Sequence, residues 1–302
     1  MPRVLPPWDA AVEAFLAECR RKNLSPATIE AYRYNLVGGR ARAFVMNRGI
    51  TSIADLDADC LRALELGILD AGKSPATAHI FHRVWKTFAR FCHDAGWLAE
   101  ADILTLAGPT MPQREPETFT EDEERRLLAA ARTPRDRFLI ELLMATGVRL
   151  REVCALTVDD VMDTPQGPLL KVRQGKGRKD RGIPLDTGKR RFSRRLQTYI
   201  REVRPTDTQR RELFLTSRRD GRDYAPLRPH GVYQVLHRLD QATGIHTHPH
   251  KFRHTFATRA LAAGVDSLVL QRALGHTSLA MVNRYVSFGS GDMLEAWRRR
   301  ED

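Results

Sequence analysis

Apolar residues recur at helical spacing along much of the chain, and the clearest early runs follow two near copies of one short motif. Leu24-Ser-Pro-Ala-Thr28 and Lys73-Ser-Pro-Ala-Thr77 stand 49 residues apart. In each, Ser is suited to cap a helix and Pro to fill its first position, where the missing N–H costs nothing. Ile29, Tyr32 and Leu36 then form a stripe at i, i+3 and i+7, and Ile80, Val84, Phe88 and Phe91 form another after the second copy. Recurrent capping chemistry accounts for the likeness better than a duplication. A break follows at 107–118, where Pro109, Pro112 and Pro116 prevent a continuous helix and favour an extended linker. Thr120 with Glu123 has the spacing of a capping box and opens the next element.

Beyond the linker the pattern changes. Phe138, Leu139, Leu142, Leu143 and Met144 make a buried helix stripe that stops at Gly147. Leu169–Arg173 and Arg181–Leu185 are short strand-like runs on either side of a Gly-rich charged turn, which predicts a β-hairpin. Pro249 suits a helix start, Gly275 a helix end, and Ser278 the cap of a following helix that carries Tyr285. The chain therefore reads as multidomain. An all-α N-terminal domain spans 1–106, a linker 107–118, and a mainly helical α+β domain with a small β-sheet 119–302.

Charge sharpens the division. The 302 residues carry a net charge of +12. Residues 1–117 hold 14 Lys+Arg and 14 Asp+Glu, and residues 118–302 hold 35 and 23, so the whole excess lies after the linker. A polyanion is the expected partner of that half. Basic runs at Lys189–Arg191, Arg194-Arg195 and Arg298–Arg300 add to the surface, although each alone is the pattern of an ordinary wetted helix face. No apolar stretch approaches the length of a membrane span, and no apolar leader is present, so a soluble cytoplasmic protein is expected. Cys19, Cys60, Cys92 and Cys154 lack metal-ligand spacing. His246, His248, His250 and His254 come without carboxylate or thiolate partners, so neither a metal nor another cofactor is expected.

The chemistry collects in one stretch. His250, Arg253, His276 and Tyr285 are imidazole, guanidinium and phenol groups, which can grip a phosphodiester, move its protons and attack it. His250 and Arg253 stand at i and i+3 and share a helix face. An isolated His-x-x-Arg is ordinarily a solvated face. The ordered set HxxRH, GH and then Tyr nine residues after His276 is far more specific, and here the chain resembles the tyrosine recombinases, the family of phage integrases and Xer-type enzymes. The resemblance extends upstream. Thr146-Gly-Val-Arg149-Leu-Arg-Glu152 is similar to the family pattern around its first catalytic arginine. Arg151 stands where the family has a small residue such as Ser, so two guanidiniums compete for one place, and the spacing from Thr146-Gly147 favours Arg149. On chemistry alone Gly175-Lys-Gly-Arg-Lys179 is a basic hairpin tip. Its similarity to the family's GKG hairpin implies that Lys176 is the general acid, with Lys179 as runner-up.

The resemblance implies a core-binding DNA clamp for 1–106 and a catalytic domain for 119–302. It also implies Tyr285 as nucleophile with Arg149, Lys176, His250, Arg253 and His276 around the phosphate. Expected partners are double-stranded DNA, further copies of the chain in a tetramer on two DNA sites, and a partner recombinase or an accessory DNA-bending protein. Association with a bacterial nucleoid is expected. Two alternatives remain: a type IB topoisomerase-like DNA-relaxing enzyme and a non-catalytic DNA-binding protein on the same fold. The tail after Tyr285 lacks the His-Pro-Arg ending associated with Xer proteins, which leans the reading towards an integrase.

Overall fold

A computed structural model describes residues 5–98, 102–111, 116–173, 180–187, 190–221 and 223–275. The chain divides into two compact units, Met1–Gln113 and Arg114–Asp302. The division falls inside the proline-rich stretch.

The first unit is helical: α1 Trp8–Arg21, α2 Pro26–Val37, α3 Gly39–Asn47, α4 Ala58–Asp70, α5 Pro75–Asp94 and the short α6 Asp102–Thr105. Both motif copies start helices as expected. Ser25 accepts from the Thr28 N–H at 3.1 Å and Ser74 from the Thr77 N–H at 3.3 Å, with Pro26 and Pro75 in the first turns. Leu36 is buried, with Ile29 and Tyr32 half-buried beside it. In the second stripe Val84 and Phe88 are buried and Phe91 is half-buried, and only its first position needs correction. Ile80 is exposed, and the buried face of α5 runs through Ala78, Phe81, Trp85, Phe88 and Cys92. At 100° per residue Ile80 points roughly 140° away from Trp85, so it falls off the face that the aromatic mass buries. Trp8, Trp85, Phe88 and Phe15 form the centre, with Trp8 and Trp85 ring centroids 5.1 Å apart. The Trp85 indole N–H donates to the Asn35 carbonyl at 2.9 Å, which satisfies the polar edge of a fully buried ring.

The second unit opens with α7 Glu121–Ala130, and the capping box forms: Thr120 Oγ1 accepts from the Glu123 N–H at 3.1 Å, and the Glu123 carboxylate accepts from the Thr120 N–H at 3.0 Å. Next come α8 Pro134–Thr146 and α9 Leu150–Ala155. Phe138, Leu139, Leu142, Leu143 and Met144 are all buried, and so is Ile140, so α8 is a central helix covered on most sides. The hairpin appears as β2 Gly167–Val172 and β3 Arg181–Pro184, antiparallel with Val172 opposite Arg181. A further strand, β1 Val161–Thr164, pairs with β2 and completes a three-stranded antiparallel sheet. Short pairs follow as β4 Asp186–Thr187 with β5 Arg190–Arg191, then α10 Phe192–Thr198, and β6 Leu215–Asp220 with β7 Asp223–Pro226. The unit continues through α11 Pro229–Thr243, α12 Pro249–Ala262 and α13 Ser267–Leu274. Helix α12 packs on α8, and α13 packs on both α12 and β3. These contacts set the site.

Candidate active site

The turn after α8 admits only glycine. Gly147 has φ +58°, and a Cβ there would lie 2.6 Å from the Phe256 ring. The chain reverses at once into α9, whose N-terminal flank is Arg149. Glu152, one turn on, folds back: its carboxylate accepts from the Arg149 backbone N–H at 2.8 Å and from the Arg149 Nη1 at 3.0 Å. The pair fixes the arginine at the junction of two helices.

Helix α12 supplies the second half. His248 caps it, its Nδ1 accepting from the Lys251 N–H at 3.2 Å, and Pro249 fills the first turn. Burial, followed by the charges of His246 and His250, lowers the His248 pKa. The shift favours the neutral form, which can accept a bond. His250 is exposed on the first turn. Arg253, one turn later, is only 4% exposed, and its Nη1 donates to the Gly147 carbonyl at 2.9 Å. The tight turn before Arg149 and the buried arginine of α12 are thus locked together. Phe119 packs on the far side, with its ring 4.8 Å from that of Phe252, and its backbone N–H donates to Thr255 Oγ1 at 2.9 Å.

Both arginines meet at the end of α13. Gly275, φ +65°, terminates that helix as expected and leaves its last carbonyls without helical partners. Three guanidiniums take them. Arg181 Nε donates to the Ala273 carbonyl at 2.6 Å, Arg253 Nη2 to Leu274 at 2.6 Å, and Arg149 Nη2 to Gly275 at 2.9 Å. Cations at a helix C-terminus also complement its dipole. Glu152 sits between two of them, accepting from Arg181 at 3.0 and 2.7 Å as well as from Arg149. Burial alone would raise its pKa. The Arg181 hydrogen bond, the Arg149 backbone N–H and the neighbouring positive charge overcome that and bring it to about 2.

Arg149 and Arg253 are therefore brought together, and His250 shares the helix that carries Arg253. Lys176, Lys179, His276 and Tyr285 lie outside the described residues. Arg151, the rival to Arg149, is exposed on α9. Among the described residues no group of three His, Cys, Asp or Glu side chains is placed to hold a metal. Burial pushes the Cys60, Cys92 and Cys154 thiols up to about 11, 12 and 11, so none is a ready nucleophile. Sequence reasoning overlooked Arg181. Its signal is there: in the run from Arg181 to Leu185, strand alternation puts Arg181 in phase with buried Ile183, a charge on the inward face.

Comparison with known proteins gives the class. The model of the phage integrase family matches residues 117–289, and the chain belongs to that family, the tyrosine recombinases. It is similar to the tyrosine recombinase XerA of Pyrococcus horikoshii, 30% identical over 65% of this chain and 66% of the relative, so that match spans just under two thirds of the relative's length. It is similar over a longer stretch to XerA of Thermococcus kodakarensis, 30% identical over 92% of this chain and 90% of the relative. A solved structure of a lambda integrase tetramer bound to a Holliday junction shares the fold, with a TM-score of 0.72, 19% identity, and coverage of 93% of this chain and 77% of that one. Among the described residues no helix is long and apolar enough to cross a membrane.

Proposed function

We propose that the chain is a site-specific DNA recombinase that cuts and rejoins duplex DNA through a 3′-phosphotyrosine formed by Tyr285. The observation that carries this is the convergence of Arg149 and Arg253 on the carbonyls of Leu274 and Gly275, next to His276 in the sequence. Two guanidiniums anchored by buried carbonyls and a carboxylate are preorganised donors, suited to the non-bridging oxygens whose charge grows in a pentacoordinate transition state.

The phenolic oxygen of Tyr285 attacks the scissile phosphorus, the phosphorus–5′-oxygen bond breaks, and Lys176 gives the leaving oxygen its proton. Phenol has a pKa of about 10, so only about one in a thousand is ionised at neutral pH, and His250, exposed on α12, accepts or shares its proton. His276 adds a hydrogen bond to the phosphate. The phosphotyrosine preserves the ester, and a 5′-hydroxyl from a second strand displaces the tyrosine without ATP or a metal. Residues 1–106 act as a DNA clamp. The assembly is a tetramer on two DNA sites, in line with the family and with the tetrameric lambda integrase on a Holliday junction. Relaxation of a single duplex by a type IB topoisomerase-like enzyme needs no second site, and a two-site assay separates the two.

The test uses nicked duplexes drawn from the DNA that flanks the protein's own coding sequence, with EDTA present throughout. The wild type traps itself as a slow-migrating band in a denaturing gel. Tyr285→Phe binds the same DNA and gives no band. A band from the phenylalanine variant removes the nucleophile role and turns attention to Tyr233, exposed on α11, and Tyr224 of β7. Loss of the wild-type band in EDTA, restored by zinc or magnesium, removes the metal-free mechanism.

A further inference from the structure

Glu152 presents a problem of charge. A carboxylate held against Arg149 both orients that guanidinium and cancels its charge, and a cancelled charge does little for a phosphate. Arg181 changes the balance. It enters from β3 and takes both carboxylate oxygens, through Nη1 to Oε1 at 3.0 Å and Nη2 to Oε2 at 2.7 Å. Arg149 contacts the same two oxygens through Nη1 and its backbone N–H. Two positive groups thus share one negative group, leaving a net charge of +1 in a half-buried setting where water screens poorly. The two arginines are not equivalent. The Arg181 side chain is 7% exposed and that of Arg149 is 31% exposed. Arg181 is shut in behind the carboxylate and pinned by its Nε to the Ala273 carbonyl. Arg149 is the one open to a ligand.

We propose that Arg181 is a positioning residue whose charge offsets Glu152, so that Arg149 keeps its own positive charge for the scissile phosphate. The proposal rests on the reading of Arg149 as a phosphate-binding arginine. It distinguishes Arg181 from the basic residues around it, because its action on DNA passes entirely through Glu152 and Arg149. Without Arg181, Glu152 pairs with Arg149 alone, and the site presents a neutral pair to the phosphate. A residue that merely braced β3 against α13 would have no such dependence on the charge of Glu152.

The experiment is a double-mutant cycle in the full chain, read as single-turnover cleavage of the nicked duplex at saturating protein. Arg181→Gln keeps a donor for the Ala273 carbonyl and removes the charge. Its expected loss is roughly ten- to a hundredfold, below the 10²–10³ of a direct transition-state donor. Adding Glu152→Gln to that variant removes the uncompensated carboxylate and is expected to raise the rate again by about fivefold or more. A double variant as slow as Arg181→Gln, or slower, overturns the proposal, and so does an Arg181→Gln variant that cleaves at the wild-type rate.

Arg181→Lys keeps the charge without the planar fork and should recover most of the loss. If thermal melting shows that Arg181→Gln does not fold, the lysine variant carries the test. A lysine rate near the wild type then supports the charge role, and a loss of more than about tenfold in a folded lysine variant overturns it. Arg149→Ala separates the two readings. An impaired Arg149→Ala with no gain from Glu152→Gln overturns the role of Arg181 alone. Wild-type cleavage by Arg149→Ala overturns the phosphate-binding reading on which it rests.

Discussion

The two units bury different things. The core of the first is aromatic and aliphatic, built on Trp8, Phe15, Trp85 and Phe88, and its buried ionisable pair is His82 with Glu65, 2.6 Å apart. The second buries Asp136, Asp160, Arg204, Lys251 and Arg253 around an equally apolar centre on α8. Burying charge costs several kcal/mol per ion unless every partner is in place, so a unit that does it repeatedly is giving up stability for position. The positions fixed in this way are telling. Arg253 holds the turn before Arg149 and the end of α13, and Lys251 sits over the Phe119 ring at 4.5 Å, securing the start of the unit to α12. Net charge follows the same division, with zero in residues 1–117 and the whole excess beyond. On the proposed mechanism, the chemistry and its structural cost fall to the second unit, and ordinary apolar folding to the first.

The sharpest way to break that assignment is Arg253→Lys. A lysine has the charge but cannot reach Gly147 and Leu274 carbonyls and a phosphate oxygen with one ammonium. We expect cleavage to fall by roughly 10²–10³-fold, the cost of losing a preorganised donor, with DNA binding changed only a few fold. Single-turnover cleavage beside a binding titration measures both. A cleavage rate within tenfold of the wild type would mean that the buried arginine is structural, and the contrast between the units would lose its chemical meaning.

Next in size is Gly147→Ala. The added methyl meets Phe256 at 2.6 Å, and the backbone at φ +58° is one that alanine adopts poorly. The expected cost is about 2–3 kcal/mol of stability in the second unit. Because Gly147 supplies a carbonyl to Arg253, cleavage should fall as well, even below the melting transition. Urea unfolding with cleavage assayed in parallel tests this, and a variant as stable and as active as the wild type would falsify the tight coupling of turn and site.

What could be read from the sequence divides along physical lines. Helix starts were legible at Ser25, Ser74 and Thr120 because a cap is made within four residues and its partners are local. The turn at Gly147 and the stop at Gly275 were legible for the same reason. Ile80 was not, since it fits a helical period with Val84 and Phe88, and only packing against Trp8 and Phe15 sets where the buried face lies. Strand β1 was missed because Val161-Met-Asp-Thr164 has no clear alternation of its own and becomes a strand by pairing with β2. At the site, Arg149, His250 and Arg253 were legible as side chains of an ordered motif. The arrangement of the two arginines was not, because the groups that hold them are the carbonyls of Gly147, Leu274 and Gly275, and a carbonyl carries no mark of its role in the sequence. Arg181 stood in plain view as a charge on an inward strand face.

The smallest effect tests the other side of the comparison. Ser25 and Ser74 cap α2 and α5 at exposed positions, and in each case the hydroxyl also lies within hydrogen-bond reach of the threonine three residues on. Replacing either by alanine removes one capping bond and leaves the aromatic core of the first unit untouched, so each should cost about 1 kcal/mol of stability. The two sites begin different helices and share no partner, so the double variant should lose close to the sum of the two. If the first unit contributes folding and DNA grip while the chemistry lies in the second, these variants should cleave bound DNA at the wild-type rate below their melting transitions. Denaturant curves of the two single variants and the double variant provide the stabilities, and single-turnover cleavage at saturating protein provides the rate. A cleavage defect of tenfold or more in a folded cap variant would mean that helix order in the first unit reaches the reacting phosphate, and the division between the units would have to be withdrawn.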